Sequence, residues 1–220
     1  MHLYRDYGFP VDSSEKERFL QIPEIKIENS ICGPLLIEDN YSLYLKNSII
    51  DDCKGVGDNA GNSFAIEAPP ERKDVLTVPW FPWGPPTFVD GITIFGKTHV
   101  KSICGKGAIF IHPLKVQDVT KGCLQHCYIS GERNQIPQIE KCVHSSDAYP
   151  RLQFVDEEFG EPGYAQLAYN IDNRIKEYGP NSNAMGAYGY LCESDKWRNL
   201  ILRFREFMPV GIRPLFIVKS

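Results

Sequence analysis

The sequence predicts an all-β-dominated chain: an irregular right-handed parallel β-helix with a small C-terminal α+β cap. Three observations carry this. A short phrase is written three times, as Asn29-Ser30-Ile31-Cys32-Gly33, Asn47-Ser48-Ile49-Ile50-Asp51 and Lys101-Ser102-Ile103-Cys104-Gly105, with spacings of 18 and 54 residues. A small polar residue, an aliphatic and a turn returning at about 20 residues is the pattern of stacked coils, with the aliphatic buried at a corner. Short alternating runs bounded by Gly, Pro, Asn and Asp follow one another with no helical run between them, which excludes βαβ units. Residues 151–220 then change to a helical spacing. The right hand follows the general rule for parallel crossovers.

The elements follow in order. Residues 1–22 are a polar N-terminal segment in which Asp12-Ser13-Ser14-Glu15 can start a short helix through Leu20. The β-solenoid is expected over 23–150. Glu24-Ile25-Lys26-Ile27-Glu28 alternates strictly, the period of a half-buried strand. Leu35–Glu38, Ser42–Lys46 and Ser63–Glu67 read the same way. Residues 54–62 are glycine-rich but lack the Lys-Ser/Thr ending and following helix of a phosphate loop, so they read as a turn between coils. A Pro/Trp-rich insertion occupies 69–86. Strands resume at 91–96, 98–100, 102–104, 108–111, 114–116 and 123–129, and 131–150 reads as a polar connector. In the cap, 151–220, short helical turns are expected at Tyr164–Leu167 and Ile171–Glu177. Asp195 can cap a helix with apolar Trp197, Leu200, Ile201, Phe204, Phe207 and Met208, stopped by Pro209 and Gly211. Leu215–Val218 closes as a strand. A solenoid end exposes apolar side chains and unpaired backbone, so an amphipathic helix laid across it is the expected cover.

Composition bounds function. At 220 residues, 42% hydrophobic and 24% charged, the chain buries an ordinary core. A net charge of −4 argues against a nucleic-acid partner. No run reaches the roughly 20 apolar residues of a membrane span, and the start has no apolar signal region. Synthesis in the cytoplasm is therefore expected, with a place in a released particle left open.

Chemistry is thinly signposted, and no catalytic residue and no cofactor are assigned. Trp80, Phe81 and Trp83 in the insertion form either a docking or sugar-stacking surface or a cover for an open flank. Cys123, Cys127, Cys142 and His144 are weak metal candidates: their spacing can ligate zinc, but it equally suits stacked core positions of free thiols, or a Cys123–Cys142 disulfide. A β segment would put Cys123 and Cys127 on one face. Asp51, Asp52, Asp156, Glu157, Glu158 and Glu161 are frequent acids, but adjacent acids on a strand point to opposite faces. Solvated turns explain them without catalysis. Tyr164, Met185 and Gly186 read as a structural clamp pinning the cap.

Several stretches carry a resemblance. Phe159-Gly160-Glu161-Pro162-Gly163-Tyr164-Ala165-Gln166-Leu167, Asn183-Ala184-Met185-Gly186-Ala187-Tyr188 and the helix from Asn199 to Ile212 resemble the closing region of a family of large bacterial proteins. Gly122-Cys123-Leu124, Ser30-Ile31-Cys32-Gly33-Pro34-Leu35 and Asn47-Ser48-Ile49-Ile50-Asp51 are similar to their upstream phrases. That family is known as phage-tail-like or right-handed β-helix proteins and is associated with gene clusters for contractile, phage-tail-like injection particles. Its members are usually several times longer. Cysteines at 53, 104, 127 and 192 depart from its pattern. The resemblance implies fold and context and carries no catalytic residues.

The first expectation is a non-enzymatic structural or adhesion component of a phage-tail-like assembly, binding protein partners or itself through the open solenoid end. Carbohydrate is a candidate ligand. The alternative is a carbohydrate-active β-helix enzyme, a polysaccharide lyase or hydrolase; a third is a small zinc-stabilised binding module.

Overall fold

Alternation of apolar and polar residues writes the sheets directly. A computed structural model describes residues 23–52, 63–69, 83–147, 152–209 and 211–212. The chain runs β1 (Glu24–Glu28), β2 (Ile31–Cys32) and β3 (Leu35–Leu36), then β4 (Ser42–Lys46), β5 (Ile49–Asp51) and β6 (Phe64–Glu67). It continues through β7 (Thr87–Asp90), β8 (Thr93–Phe95) and β9 (Lys97–Val100), then β10 (Ile103–Lys106), β11 (Ile109–Phe110) and β12 (Leu114–Val116). β13 (Cys123–Gln125), β14 (Tyr128–Ile129), a 3-10 turn at Arg133–Gln135, β15 (Gln138–Glu140) and β16 (Val143–His144) complete the strands.

These strands form three sheets, all parallel. The first has the order β1-β4-β7-β10-β13-β15, the second β2-β5-β8-β11-β14-β16 and the third β3-β6-β9-β12. The protein is thus a sheet-rich, all-β parallel fold with few helices. Register stacks like positions. Ile27, Leu45, Val89, Gly105, Leu124 and Ile139 fall in one inward column of the first sheet. Leu43, Leu45, Ile50, Ile66, Val89, Ile94, Phe110, Leu114 and Leu124 form a core from which water is excluded. Each such side chain contributes about 1.5–3 kcal/mol of burial.

The bend from first to second sheet explains the recurring phrase. The residue two before each second-sheet strand has left-handed φ: Asn29, Asn47, Gly91, Gly107, His126 and Lys141. Asn and Gly adopt this conformation at low cost, which is why Asn precedes Ser-Ile twice. The next residue turns in at the bend, giving a column of Ser30, Ser48, Ile92, Ala108, Cys127 and Cys142. The Ser48 hydroxyl accepts from Ser30 N at 3.2 Å and donates to the Lys46 carbonyl at 2.6 Å. The third written copy is out of phase. Ser102-Ile103 enters β10, a first-sheet strand, so it marks a different bend.

Other expectations are corrected. The run 123–129 is two strands, because His126 with φ 53° breaks it. The connector 131–150 contains β15 and β16, whose apolar content is too small to stand out: Ile139 alone faces inward in β15. Residues 83–86 join the sheets, since Leu43 N donates to the Pro86 carbonyl and Lys101 N to the Gly84 carbonyl, both at 2.9 Å. Tyr164–Leu167 forms isolated bridges, not helix; helix α1 spans Asn173–Glu177, capped by Asp172.

Helix α2 spans Glu193–Phe207 and starts two residues before Asp195, following Cys192 in a left-handed conformation. It does not act as the expected cover. Leu200, Leu202, Phe204 and Phe207 are exposed, Phe207 to 84%. The covering is done by 152–188 and is lateral. Phe154, Tyr164, Ala168, Ile171, Ile175, Met185 and Ala187 bury the outward residues Ile49, Phe95, Ile109, Tyr128 and Val143 of the second sheet. A parallel sheet needs both faces covered, and this segment supplies the second cover. The expected helix at 15–20 and strand at 215–218 lie outside the described residues.

Candidate functional site

Four places gather polar or exposed groups. The first is the free edge of β1, β2 and β3. These begin the three sheets, and among the described residues no strand pairs with their outer side. Ile31 is 47% and Leu36 51% exposed there. Register places Glu28, Lys46, Asp90, Lys106, Gln125 and Glu140 side by side across the first sheet. Charge alternates from Glu28 to Lys106, so Lys46 lies between two carboxylates and Lys106 between Asp90 and Gln125, and the row starts and ends on a glutamate. Opposite charges directly across strands each contribute about 0.2–1 kcal/mol, and like charges repel. At the neighbouring bend Asn47 Nδ2 donates to Asn29 Oδ1 at 3.3 Å.

The second is the face covered by 152–188, where the three expected clamp residues all lie. Tyr164 donates its hydroxyl to Asp51 Oδ2 at 2.7 Å and stacks on Phe95 with centroids 5.6 Å apart. Met185 is buried and its N–H donates to the Ile175 carbonyl at 2.9 Å. Gly186 N donates to the Gly107 carbonyl at 2.8 Å, and Ala187 N to Thr93 Oγ1 at 3.0 Å. Tyr164→Phe removes a hydrogen bond to a carboxylate and is expected to lower stability by about 1.5 kcal/mol, read as a shift in the urea midpoint at constant slope.

The third is aromatic. His99 on β9 sits between Phe64, edge-on at 4.5 Å, and Trp83, tilted at 5.5 Å. Trp83 therefore lies on a neighbouring ring. Trp80 and Phe81, its expected partners in a docking surface, lie outside the described residues. Burial, then Lys115 and Lys97, push the His99 imidazole down to about 4. Unfolding frees it to bind a proton near its ordinary 6.5, so between pH 6.5 and 4 the unfolded chain holds more protons. Stability is expected to fall as pH drops through that window and to level off below it. His99→Gln should flatten the slope; an unchanged slope in the variant would contradict this.

The fourth is a groove of about 520 Å³ lined by His126, Lys141, Cys142, Arg174, Tyr178 and Ser182 among others. It joins two bends of the sheets to α1 and the turn after it, a convergence invisible in local sequence. His126 Nδ1 donates to the Tyr178 carbonyl at 2.6 Å. Arg174 is paired with Asp172 at 2.8 Å.

The cysteine and histidine candidates divide. Cys123 points out from β13, because Leu124 points in, whereas the left-handed His126 turns Cys127 inward. The two therefore do not share a face. Cys127 and Cys142 stack at successive bends, and His144 lies inside the second sheet with Nδ1 on the Ser146 hydroxyl at 2.7 Å. Cys123 and Cys142 are both free thiols. Among the described residues no three His, Cys, Asp or Glu side chains gather as a metal site. The acids also disperse: Asp51 holds Tyr164, Asp52 accepts from the Ser63 hydroxyl at 2.6 Å, and Glu157, Glu158 and Glu161 are exposed. His112 feels both Asp52 and Glu157, while burial pushes its imidazole below the ordinary value.

No helix among the described residues is long and apolar enough to cross a membrane. No family model, curated protein or solved structure matches this chain.

Proposed function

We propose that the chain is a right-handed parallel β-helix acting as a non-enzymatic structural connector, a component of a phage-tail-like, contractile injection assembly. In this reading each set of three strands is one coil, and the β1–β2–β3 edge receives strands of another chain by β-augmentation. The observation that carries it is the charge row ending in Glu28 at that edge. A strand continuing the row is favoured when it places Lys or Arg opposite Glu28. A second copy stacked head to tail would set Glu140 there, glutamate on glutamate, so the partner is a different chain. An exposed edge is otherwise an aggregation liability.

Cross-linking the chain within its native assembly tests this. Lys26, on β1 with its ammonium exposed, is expected to link to a different protein. Links from Lys26 only within this chain would overturn the reading. The alternative, a polysaccharide lyase or hydrolase, draws on His112 in the field of Asp52 and Glu157. Turnover on a polysaccharide panel, abolished by His112→Ala, would establish it and displace the structural reading.

A further inference from the structure

Cys127 and Cys142 occupy adjacent positions of the inward column, one residue before Tyr128 and Val143, which pair directly. Neighbouring strands lie about 4.8 Å apart, within the Cα span a disulfide bridges. Cys127 N donates to Cys142 Sγ at 3.4 Å. The Cys127 thiol is fully buried; it donates to the Gln125 carbonyl at 3.1 Å and accepts from Ala108 N at 3.3 Å. Cys142 is only partly buried and lines the 520 Å³ groove. Of this pair, then, one residue is partly exposed and the other is fully buried beside it.

The groove is built at a conformational cost. Its bends place His126 and Lys141 in left-handed φ, where the four preceding bends use Asn or Gly. A side chain with a Cβ other than Asn or Asp pays roughly 1–2 kcal/mol there. Both residues line the groove, where Lys141 and Arg174 are balanced by Glu177 and by the Asp172 carboxylate paired with Arg174. Contact with Cys127 holds the Cys142 thiol below its ordinary value, while burial pushes Cys127 well above it. A partly exposed thiol with a lowered value, beside a second thiol, is the environment of a reactive cysteine.

We propose that Cys142 and Cys127 form a dithiol–disulfide site, oxidised by a low-molecular-weight disulfide that reaches the partly exposed Cys142. The Cys142 thiolate attacks one sulfur of that disulfide, forming a mixed disulfide and expelling one thiolate, which takes up a proton. Cys127 then loses its proton to solvent and attacks Cys142 Sγ, forming the Cys127–Cys142 bond and expelling the second thiolate, which is also protonated. The two protein thiols are oxidised by two electrons, and the small disulfide is reduced to two thiols. This site is independent of the connector reading.

The test uses the reduced full chain with oxidised glutathione, followed by intact mass and peptide mapping. The wild type is expected to lose two hydrogens, with the link mapping to Cys127 and Cys142. Cys127→Ser is expected to trap one glutathione on Cys142, and Cys142→Ser to leave Cys127 unreacted. Serine already occupies this column at Ser30 and Ser48, so both variants should fold, which circular dichroism checks. A stable glutathione adduct on wild-type Cys142, reaction at Cys127 without Cys142, or no reaction at either while Cys123 reacts would each overturn the proposal.

Discussion

Gly105→Ala is expected to destabilise the chain by about 4 kcal/mol or more, a large share of a domain's usual stability. Gly105 sits in β10, in the inward column between Val89 and Leu124. Its φ of 145° is one that L side chains rarely adopt, and an added Cβ would lie 1.9 Å from the Val89 carbonyl oxygen. Backbone strain of this kind costs roughly 1–3 kcal/mol by itself. The clash adds to it, because the obstructing atom is main chain held in the β7 ladder and cannot swing away. Urea denaturation reads the result, and a midpoint within experimental error of wild type would contradict it.

Gly186→Ala is expected to cost about 3 kcal/mol, and to cost it locally. Gly186 has φ 92°, and a Cβ there would meet Thr93 Oγ1 at 2.8 Å and Ile109 Cδ1 at 2.9 Å. Relief requires the strand-facing segment to lift, which breaks the bonds from Gly186 N to Gly107 and from Ala187 N to Thr93. Hydrogen exchange is the measurement. Faster exchange is expected over 164–188 and in the outward-facing second-sheet strands, with β1, β4 and β7 unchanged. Uniform acceleration across the chain would mean that the covering segment and the first sheet open as one unit.

The parallel, sheet-rich fold was legible because alternation is a local property. Ser42–Lys46 was read at its observed bounds, since Leu43 and Leu45 face in while Tyr44 and Lys46 do not. The bend between sheets was legible at Asn29 and Asn47, where residue type reports the left-handed turn. It was hidden at His126 and Lys141, where the same turn is made by residues that do not advertise it. Local sequence therefore does not separate β13 from β14 or mark β15 and β16. The phrase at Ser102 misled in the opposite way, by matching in letters at a different bend.

The candidate sites were legible only in part. Tyr164, Met185 and Gly186 stood out as anchors, but their target, the outer face of the second sheet, is fixed by packing across more than a hundred residues of chain. The amphipathic spacing of α2 is legible, yet spacing says nothing about which surface receives it, and Leu200, Phe204 and Phe207 of that face are exposed. The groove draws on residues 126, 141–143 and 174–182, which no local window joins. The charge row required register, which is known only once strand i pairs with strand i+3.

The central claim is that the β1–β2 edge accepts a strand carrying a cation opposite Glu28. The most direct measurement titrates the isotopically labelled full chain with the peptide Tyr41–Ile50, whose Lys46 already lies opposite Glu28 within the fold, and follows amide shifts by NMR. Saturable shifts confined to Glu24–Glu28 and Ile31–Cys32 are expected, with affinity falling about fivefold or more when the peptide carries Lys46→Glu. No shifts along this edge, or equal binding of the two peptides, would contradict the claim.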